Sequence, residues 1–218
     1  MIDITASHMA STFSSEPLIL VVDLETTSLD SKRGSILQIG AVWLMGTEGE
    51  ITFDCRMWEG AEIQPKALER NGCTEARCMN PALMTESEAL VQFFKWIKAT
   101  SSSDGEVSFM LAGLNPFFDR GFLLQAWVRA GMSKATFPIR HRLLDLHSMA
   151  VEHALKIGEP VPSRGFYTDE IYALLDMPPE PKPHTALTGA RMEADAIHQL
   201  LDFRCSLTPK DRALCHEG

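Results

Sequence analysis

The most constraining feature of the sequence is the run over residues 18–24, in which β-branched and other apolar side chains follow one another without alternation until Asp23. Continuous apolar character over a segment of strand length is typical of a β-strand that is buried on both faces of its sheet. Such a strand needs helices on each side of the sheet. The run therefore predicts an α/β architecture.

The remaining hydrophobic patterns predict strands and helices in an order that fits one domain. Because short connections join the first three strands, these are expected to form an antiparallel meander. The later alternation of helices and strands completes a mixed five-stranded sheet flanked by helices. Beside the first strand, strands are predicted over residues 36–45, 51–57, 109–113 and 139–146. Helices are predicted over residues 65–70, 85–99, 120–130, 148–156, 167–175 and 185–203.

Both ends of the chain are predicted to lie outside this domain. Residues 7–11 resemble a cloning scar, and the N-terminal stretch lacks the apolar core of a secretory signal. We therefore interpret residues 1–15 as an added, disordered extension, residues 16–205 as the domain and residues 206–218 as a C-terminal tail.

Composition limits the possible cellular compartments of the protein and the kinds of partner that it can bind. Five cysteines, an odd number without C-x-x-C spacing, indicate reduced thiols in a cytoplasmic protein. No run approaches the ~20 apolar residues of a membrane helix. The formal net charge of −9 excludes a basic coat that would grip duplex nucleic acid along its length. A phosphate-bearing partner must therefore be held locally, by metal ions or by a small basic rim.

Two carboxylates, Asp23 and Glu25, lie at the end of the first predicted strand. Because side chains alternate in an extended chain, both project from the same face, and no Lys or Arg follows them before Lys32. A divalent cation would relieve the repulsion between them. A solvated strand end is the alternative interpretation.

Asp119 and His184 each lie at the start of a predicted helix. For Asp119, helix capping is the alternative to a functional role. His184 lies between a proline-rich segment, residues 178–183, and the last predicted helix. A histidine held by a rigid extended segment is a candidate general base, and an ordinary surface residue is the alternative.

In chain order, these three segments resemble the motifs of the DEDDh group of 3′→5′ exonucleases, the DnaQ-like branch of the ribonuclease H-like fold. Residues 23–27 match the first motif, D-x-E-T-T. Residues 115–119 match the second motif, N-x-x-F-D, and residues 184–190 match the third, H-x-A-L-x-D-A, except at Gly189. The resemblance extends over residues 18–201 and implies a ribonuclease H-like fold.

The resemblance implies metal-dependent hydrolysis of terminal phosphodiester bonds at the 3′ ends of single-stranded DNA or RNA. Two Mg²⁺ or Mn²⁺ ions would activate a water molecule and stabilise the leaving 3′ oxygen. Asp23 would bridge both ions and Glu25 and Asp119 would hold one each, while His184 would take the proton of the water. The residues expected to contact the substrate are Thr26, Thr27, Leu29, Asn115 and Phe118. Some relatives are homodimers, some are subunits of polymerases and some act alone, so a homodimer and a polymerase or repair partner are both open.

Gly189 stands where this family has its fourth acid. Three interpretations are open: another acid compensates, the residue is an inactivating change from a native Asp, or the protein is a naturally weak or inactive relative that binds 3′ ends. Glu193 follows four residues later, about 400° around an ideal helix, and its longer side chain leans back toward the N-terminus. We therefore expect Glu193 to be a metal ligand, whereas Asp195 should point roughly the opposite way.

Three hypotheses follow from these observations. The first is a metal-dependent exonuclease, and the second is a binding module with the same fold and no useful turnover. The third is an unrelated α/β domain in which the motifs are accidental. In the third case Asp23, Glu25, Asp119 and His184 would not converge in space.

Overall fold

The structure, a computed structural model, describes residues 17–101 and 107–205, with side chains up to residue 201. The predictions of an added N-terminal extension and of a C-terminal tail, residues 1–15 and 206–218, lie outside the described residues. The helices and strands of the described part belong to one mixed α/β arrangement.

A mixed sheet organises the described residues, with the strand order β4-β3-β2-β1-β5-β6. The first three strands form the predicted antiparallel meander, and β5 and β6 continue the sheet parallel to β1. The mixed α/β class is confirmed. The sheet has six strands rather than five because the two-residue strand β4 pairs with the edge of β3. The strands are β1 (Ile19–Thr26), β2 (Ile36–Met45), β3 (Glu50–Arg56), β4 (Met84–Thr85), β5 (Met110–Gly113) and β6 (Leu144–Asp145).

Seven α-helices and a short 3₁₀-helix (Lys134–Thr136) are present in the described residues, and all six predicted helices are among the α-helices. The additional one is α2, a single turn that is too short to show a hydrophobic period. The helices are α1 (Pro65–Arg70), α2 (Glu75–Cys78), α3 (Glu86–Thr100), α4 (Pro116–Arg129), α5 (Leu146–Ile157), α6 (Thr168–Leu174) and α7 (Ala186–Cys205).

Helices cover both faces of the sheet, as the apolar character of β1 predicted. Leu20, Val22 and Leu24 pack on one face, in a core shared with α3 and α4. Ile19 and Val21 pack on the opposite face, in a core shared with α5, α6 and α7. The strand is therefore apolar on both sides until Asp23, and only its C-terminal end is free to carry polar side chains.

A buried ion pair holds the chain segment that follows β1. Glu86, at the start of α3, is 2% exposed and pairs with Arg129 of α4 through an Nε–Oε2 contact of 2.8 Å. The other Glu86 oxygen accepts hydrogen bonds from the Ser35 hydroxyl and the Ile36 backbone N–H. This network fixes the point where β2 begins and so limits the movement of the connection from β1 to β2.

The start of α7 is attached to β2 by close backbone packing. A Cβ on Gly40 would overlap the backbone of Ala186 and Leu187, so only glycine permits this approach. The Gln38 side chain accepts a hydrogen bond of 2.7 Å from the Ala186 backbone N–H. The residues just before α7 are thereby placed beside the C-terminal end of β1, since Gln38 pairs with Glu25 across the two strands.

The described residues bear on two features considered in the sequence, membrane-spanning helices and the state of the cysteines. No helix within residues 17–101 and 107–205 is both long enough and apolar enough to cross a membrane. Cys55, Cys73 and Cys78 carry free thiols. The Cys205 side chain and Cys215 lie outside the described part of the chain.

Candidate active site

A cavity of about 300 Å³ opens where β1 and β5 end. The catalytic and metal-binding residues predicted from the sequence all line it: Asp23, Glu25, Asp119, His184 and Glu193. Four of the five predicted substrate contacts line it as well: Thr26, Leu29, Asn115 and Phe118. Residues more than 160 positions apart in the chain therefore meet, which excludes the hypothesis of accidental motifs in an unrelated domain.

Asp23 and Glu25 precede and follow the buried Leu24 in β1, and both line the same cavity, as the strand alternation predicted. Burial raises the pKa of Asp23 well above its usual value, and the charges of Asp119 and Glu25 add to this effect. Burial likewise raises the pKa of Glu25 to about 7, although the charges of His184 and Arg70 oppose the rise. Both carboxyls are therefore harder to ionise than they would be in water, and the cavity favours a compensating positive charge.

Asp119 lies inside the first turn of α4 and is 4% exposed. The helix begins at Pro116 rather than at Arg120, because proline is well suited to the first helical position. Asp119 is therefore not the helix cap that the sequence allowed. Burial raises the pKa of its carboxyl to about 8, while hydrogen bonds from its own backbone and from that of Leu24 act in the opposite direction.

Asn115 is the residue that turns the chain into α4. It adopts a left-handed conformation with φ 55°, which asparagine tolerates better than most residues. Its backbone N–H donates a hydrogen bond of 3.1 Å to the carboxylate of Asp145. Asn115 therefore lies at the cavity in a constrained conformation that sets the direction of the helix carrying Asp119.

Glu193 reaches the cavity from α7, as its helical spacing predicted. The residue is 6% exposed, and burial raises the pKa of its carboxyl well above the usual value, followed by the charges of Asp23 and Asp119. A hydrogen bond from the Leu114 backbone acts in the opposite direction. Asp195 of the same helix is exposed. Glu193 therefore brings a carboxyl group to the cavity from one helical turn after Gly189.

The space beside Gly189 is already filled by other side chains of the site. A Cβ on Gly189 would overlap the Oδ2 atom of Asp23 and would lie 3.4 Å from Oε1 of Glu180. In this arrangement the Asp23 carboxylate packs directly against the backbone of α7. Glycine at this position permits that contact, and a side chain would force Asp23 to move.

His184 lies just before α7 with its side chain 17% exposed. Its Nδ1 atom is 2.6 Å from Oε2 of Glu180, a carboxylate of the proline-rich segment whose side chain is 7% exposed. Sequence reasoning did not identify Glu180. Its separation of four residues from His184 suggests contact only within a helix, and the prolines exclude a helix here.

The connection after β1 contributes both to the cavity and to its support. Leu29 is 76% exposed at the rim, and its backbone N–H donates to the Gln64 side chain. Thr27 does not reach the cavity, in contrast to the expectation of a substrate contact. It is fully buried, and its hydroxyl accepts a hydrogen bond of 2.9 Å from the Ser35 backbone N–H. Thr27 therefore stabilises the connection between the strands.

Sequence reasoning also missed polar groups that other elements bring to this region. Arg70 and Asn71 at the end of α1 line the cavity beside Glu25, and only the packing of α1 could reveal them. The Tyr172 hydroxyl of α6 is buried and has no hydrogen-bond partner among the described residues. Burial, followed by the charges of Glu193, Glu180 and Asp23, raises the pKa of Tyr172. The Tyr172 hydroxyl is therefore a buried hydrogen-bond donor close to Glu193, Glu180 and Asp23.

The acidic side chains share one cavity without forming a preassembled metal site. Within residues 17–101 and 107–205, no three His, Cys, Asp or Glu side chains have an arrangement ready to hold one ion. Asp23 lies against Gly189, and Glu193 accepts a hydrogen bond from the backbone of Leu114. A bound cation would have to draw these oxygens together.

Comparison with known proteins identifies relatives of the same kind. A family profile described as Exonuclease (RNase_T) matches residues 20–196. Ribonuclease T of Klebsiella pneumoniae is 31% identical over 154 residues, which cover 66% of this chain and 68% of the relative. Ribonuclease T of Shewanella sp. (strain ANA-3) is 30% identical over 126 residues, or 54% of this chain. The chain spans 56% of the length of that second relative.

Solved structures support the fold. Exonuclease I of E. coli in complex with a dA16 oligonucleotide has a TM-score of 0.65 at 16% identity, covering 86% of this chain and 41% of that chain. The nuclease domain of 3′hExo, a DEDDh family member bound to rAMP, has a TM-score of 0.65 at 15% identity. The match covers 89% of this chain and 96% of that chain. The ribonuclease H-like fold is thereby confirmed. Since the profile covers most of the described residues, the chain belongs to the RNase_T exonuclease family, as its resemblance to the DEDDh exonucleases predicted.

Proposed function

We propose that the protein hydrolyses the terminal phosphodiester bond at the 3′ end of single-stranded nucleic acid in a reaction that requires divalent cations. The observation that carries this proposal is the convergence of Asp23, Glu25, Asp119 and Glu193 with His184 in one cavity. Membership of the exonuclease family agrees with it. Neighbouring structures that hold dA16 and dT13 oligonucleotides support single strands as the substrate.

The donor groups of the cavity fit Mg²⁺ or Mn²⁺. Both are hard cations that prefer carboxylate oxygens, and the cavity offers four carboxyls whose pKa values are all raised. Asp23, Glu25, Asp119 and Glu193 would hold two ions. When bound, the ions supply an activated water nucleophile and stabilise the negative charge on the leaving 3′ oxygen.

His184 would act as the general base. Its ring lies at the cavity with one nitrogen, Nδ1, held by Glu180, so the other nitrogen is the one available to a water molecule. Its charge interacts with Glu25, which lies on the same side of the cavity. His184 would therefore accept the proton of the attacking water beside the residue that holds the first ion.

The rim of the cavity suits a flexible strand end. Leu29 and Phe117, 76% and 65% exposed, give apolar surface next to cavity-lining residues, against which an unpaired base can stack. Because the whole chain carries a net charge of −9, phosphate binding must be confined to the cations and to nearby basic groups such as Arg70. This arrangement favours an end of a single strand over a continuous duplex.

Glu193 is the acid that would compensate for Gly189. It is buried in the same cavity, and its charge interacts with Asp23 and Asp119. This favours an active enzyme over the second candidate function, which is binding of 3′ ends without cleavage. Glu193→Gln is expected to lower metal-dependent turnover on the order of 100-fold or more, because it removes a metal ligand without changing side-chain shape. Asp195→Asn, an exposed change in the same helix, should leave turnover unchanged.

The proposal is tested with a 5′-labelled single-stranded oligonucleotide, as DNA and as RNA. In Mg²⁺ or Mn²⁺ the label should shift to a ladder of shorter products, and EDTA or a blocked 3′ end should prevent the shortening. Binding of the same oligonucleotide is measured in parallel by fluorescence anisotropy. Binding without any ladder would favour the non-cleaving alternative, and the absence of both would refute the proposal.

A further inference from the structure

Glu180 is an acidic residue of the cavity that lies outside the family motifs and that sequence reasoning did not identify. It lies within the proline-rich segment 178–183, and its side chain is 7% exposed. A carboxylate this deeply enclosed requires a specific partner, since burial without one is costly. Its position therefore needs an explanation beyond those given for Asp23, Glu25, Asp119 and Glu193.

The partner of Glu180 is His184. Oε2 of Glu180 lies 2.6 Å from Nδ1 of His184, within ion-pair distance, while Oε1 lies 3.4 Å from the position of a Cβ on Gly189. One carboxylate oxygen thus holds the imidazole ring. The other faces the region that an acid at residue 189 would occupy in the family pattern.

The backbone around His184 explains why the ring needs such a partner. The regular part of α7 begins at Ala186, so His184 has no helical turn on its N-terminal side to restrict its side chain. The Gln38 side chain fixes the backbone at Ala186, two residues after His184. The 2.6 Å contact between Nδ1 and the Glu180 carboxylate restrains the ring instead.

We propose that Glu180 is the positioning residue of His184, holding the proton on Nδ1 so that Nε2 is free to accept a proton from the attacking water. The inference rests on the proposed function for its catalytic meaning. A carboxylate on one imidazole nitrogen selects the tautomer in which the other nitrogen is the base, and it stabilises the imidazolium once the proton has been taken. In this chain the proline-rich segment, rather than the helix, supplies the group that orders the base.

The first test compares Glu180→Gln with the parent at saturating Mn²⁺. We expect kcat on a single-stranded oligonucleotide to fall about 10- to 100-fold, as is typical of groups that orient another residue, while KM changes less than about twofold. The Mn²⁺ concentration for half-maximal activity should not change. Glu159→Gln removes the same charge from an exposed residue that does not line the cavity, and it should behave like the parent.

The second test reads the tautomer directly and does not depend on activity. Ring ¹⁵N chemical shifts of His184, assigned by their loss in His184→Asn, are measured in the metal-free protein. The parent should show a protonated Nδ1, and Glu180→Gln should shift the ring toward a mixture of tautomers.

The outcomes separate this inference from the proposed function. If the parent shows the Nδ1-protonated ring but degrades no oligonucleotide, the proposed function fails and the pairing stands. An unprotonated Nδ1 in the parent, or an unchanged kcat in Glu180→Gln, would overturn the inference. So would a loss of activity that excess Mn²⁺ restores, because Glu180 would then be a metal ligand.

Discussion

Asp119→Asn is expected to stabilise the metal-free protein while removing its response to divalent cations. Asp119 is 4% exposed, and burial raises the pKa of its carboxyl from 3.8 to about 8. A tenfold change in proton affinity corresponds to about 1.4 kcal/mol. At pH 7, the raised pKa of this carboxyl therefore lowers the free energy of unfolding by up to about 4 kcal/mol. An uncharged Asn of similar shape does not carry this penalty.

The pH dependence of this effect has a definite sign. The pKa values of Asp119 and of Glu25, about 8 and about 7, are higher in the folded than in the unfolded protein. The folded state therefore binds more protons than the unfolded state between about pH 4 and pH 8. The contribution of these two carboxyls to the free energy of unfolding is therefore greatest below this window and should fall as the pH rises through it. Asp119→Asn should make that fall smaller.

Urea or thermal unfolding measures both effects, in EDTA and in millimolar Mn²⁺ at several pH values. Mn²⁺ should stabilise the parent strongly and Asp119→Asn weakly, since the variant lacks a ligand. Asp195→Asn, with the same chemical change on an exposed residue, should match the parent throughout. The reasoning is refuted if Asp119→Asn is no more stable than the parent at pH 7 in EDTA, or if Mn²⁺ stabilises both proteins equally.

Two further substitutions test other parts of the structure. Gly189→Asp should destabilise the metal-free protein and should not raise turnover, because a side chain there would overlap Asp23; a large gain in turnover would show that the site lacks an acid at this position. Arg129→Met should lower the free energy of unfolding by about 3–5 kcal/mol in urea titrations, because it leaves Glu86 buried without its ion pair. Adding Glu86→Gln should recover part of this loss, and no recovery would contradict the role assigned to the pair.

The sequence contained enough information to predict the sheet and most of the candidate site. The apolar run of β1 determined the two-sided burial, and strand alternation placed Asp23 and Glu25 on one face. Helical spacing, counted from Gly189 at the family's fourth acid position, identified Glu193 as a residue of the cavity. These features depend on local periodicity, which a single sequence records.

Features that depend on contacts between distant segments could not be predicted. Glu180 meets His184 through an extended proline-rich segment, for which no spacing rule applies. Thr27 matched a motif position, but the hydrogen bond to Ser35 turns it into the interior. The fit of Asp23 against Gly189 follows from the packing of α7 on β1, so the sequence showed the missing acid without showing what fills its place.

The most direct test of the central claim is a crystal structure of the protein soaked in Mn²⁺, with anomalous scattering used to locate the ions. The account predicts strong anomalous peaks in the cavity, within ligand distance of Asp23 and of at least two of Glu25, Asp119 and Glu193. A fully occupied crystal with no peak among these carboxylates, or with Mn²⁺ bound only elsewhere, would contradict it.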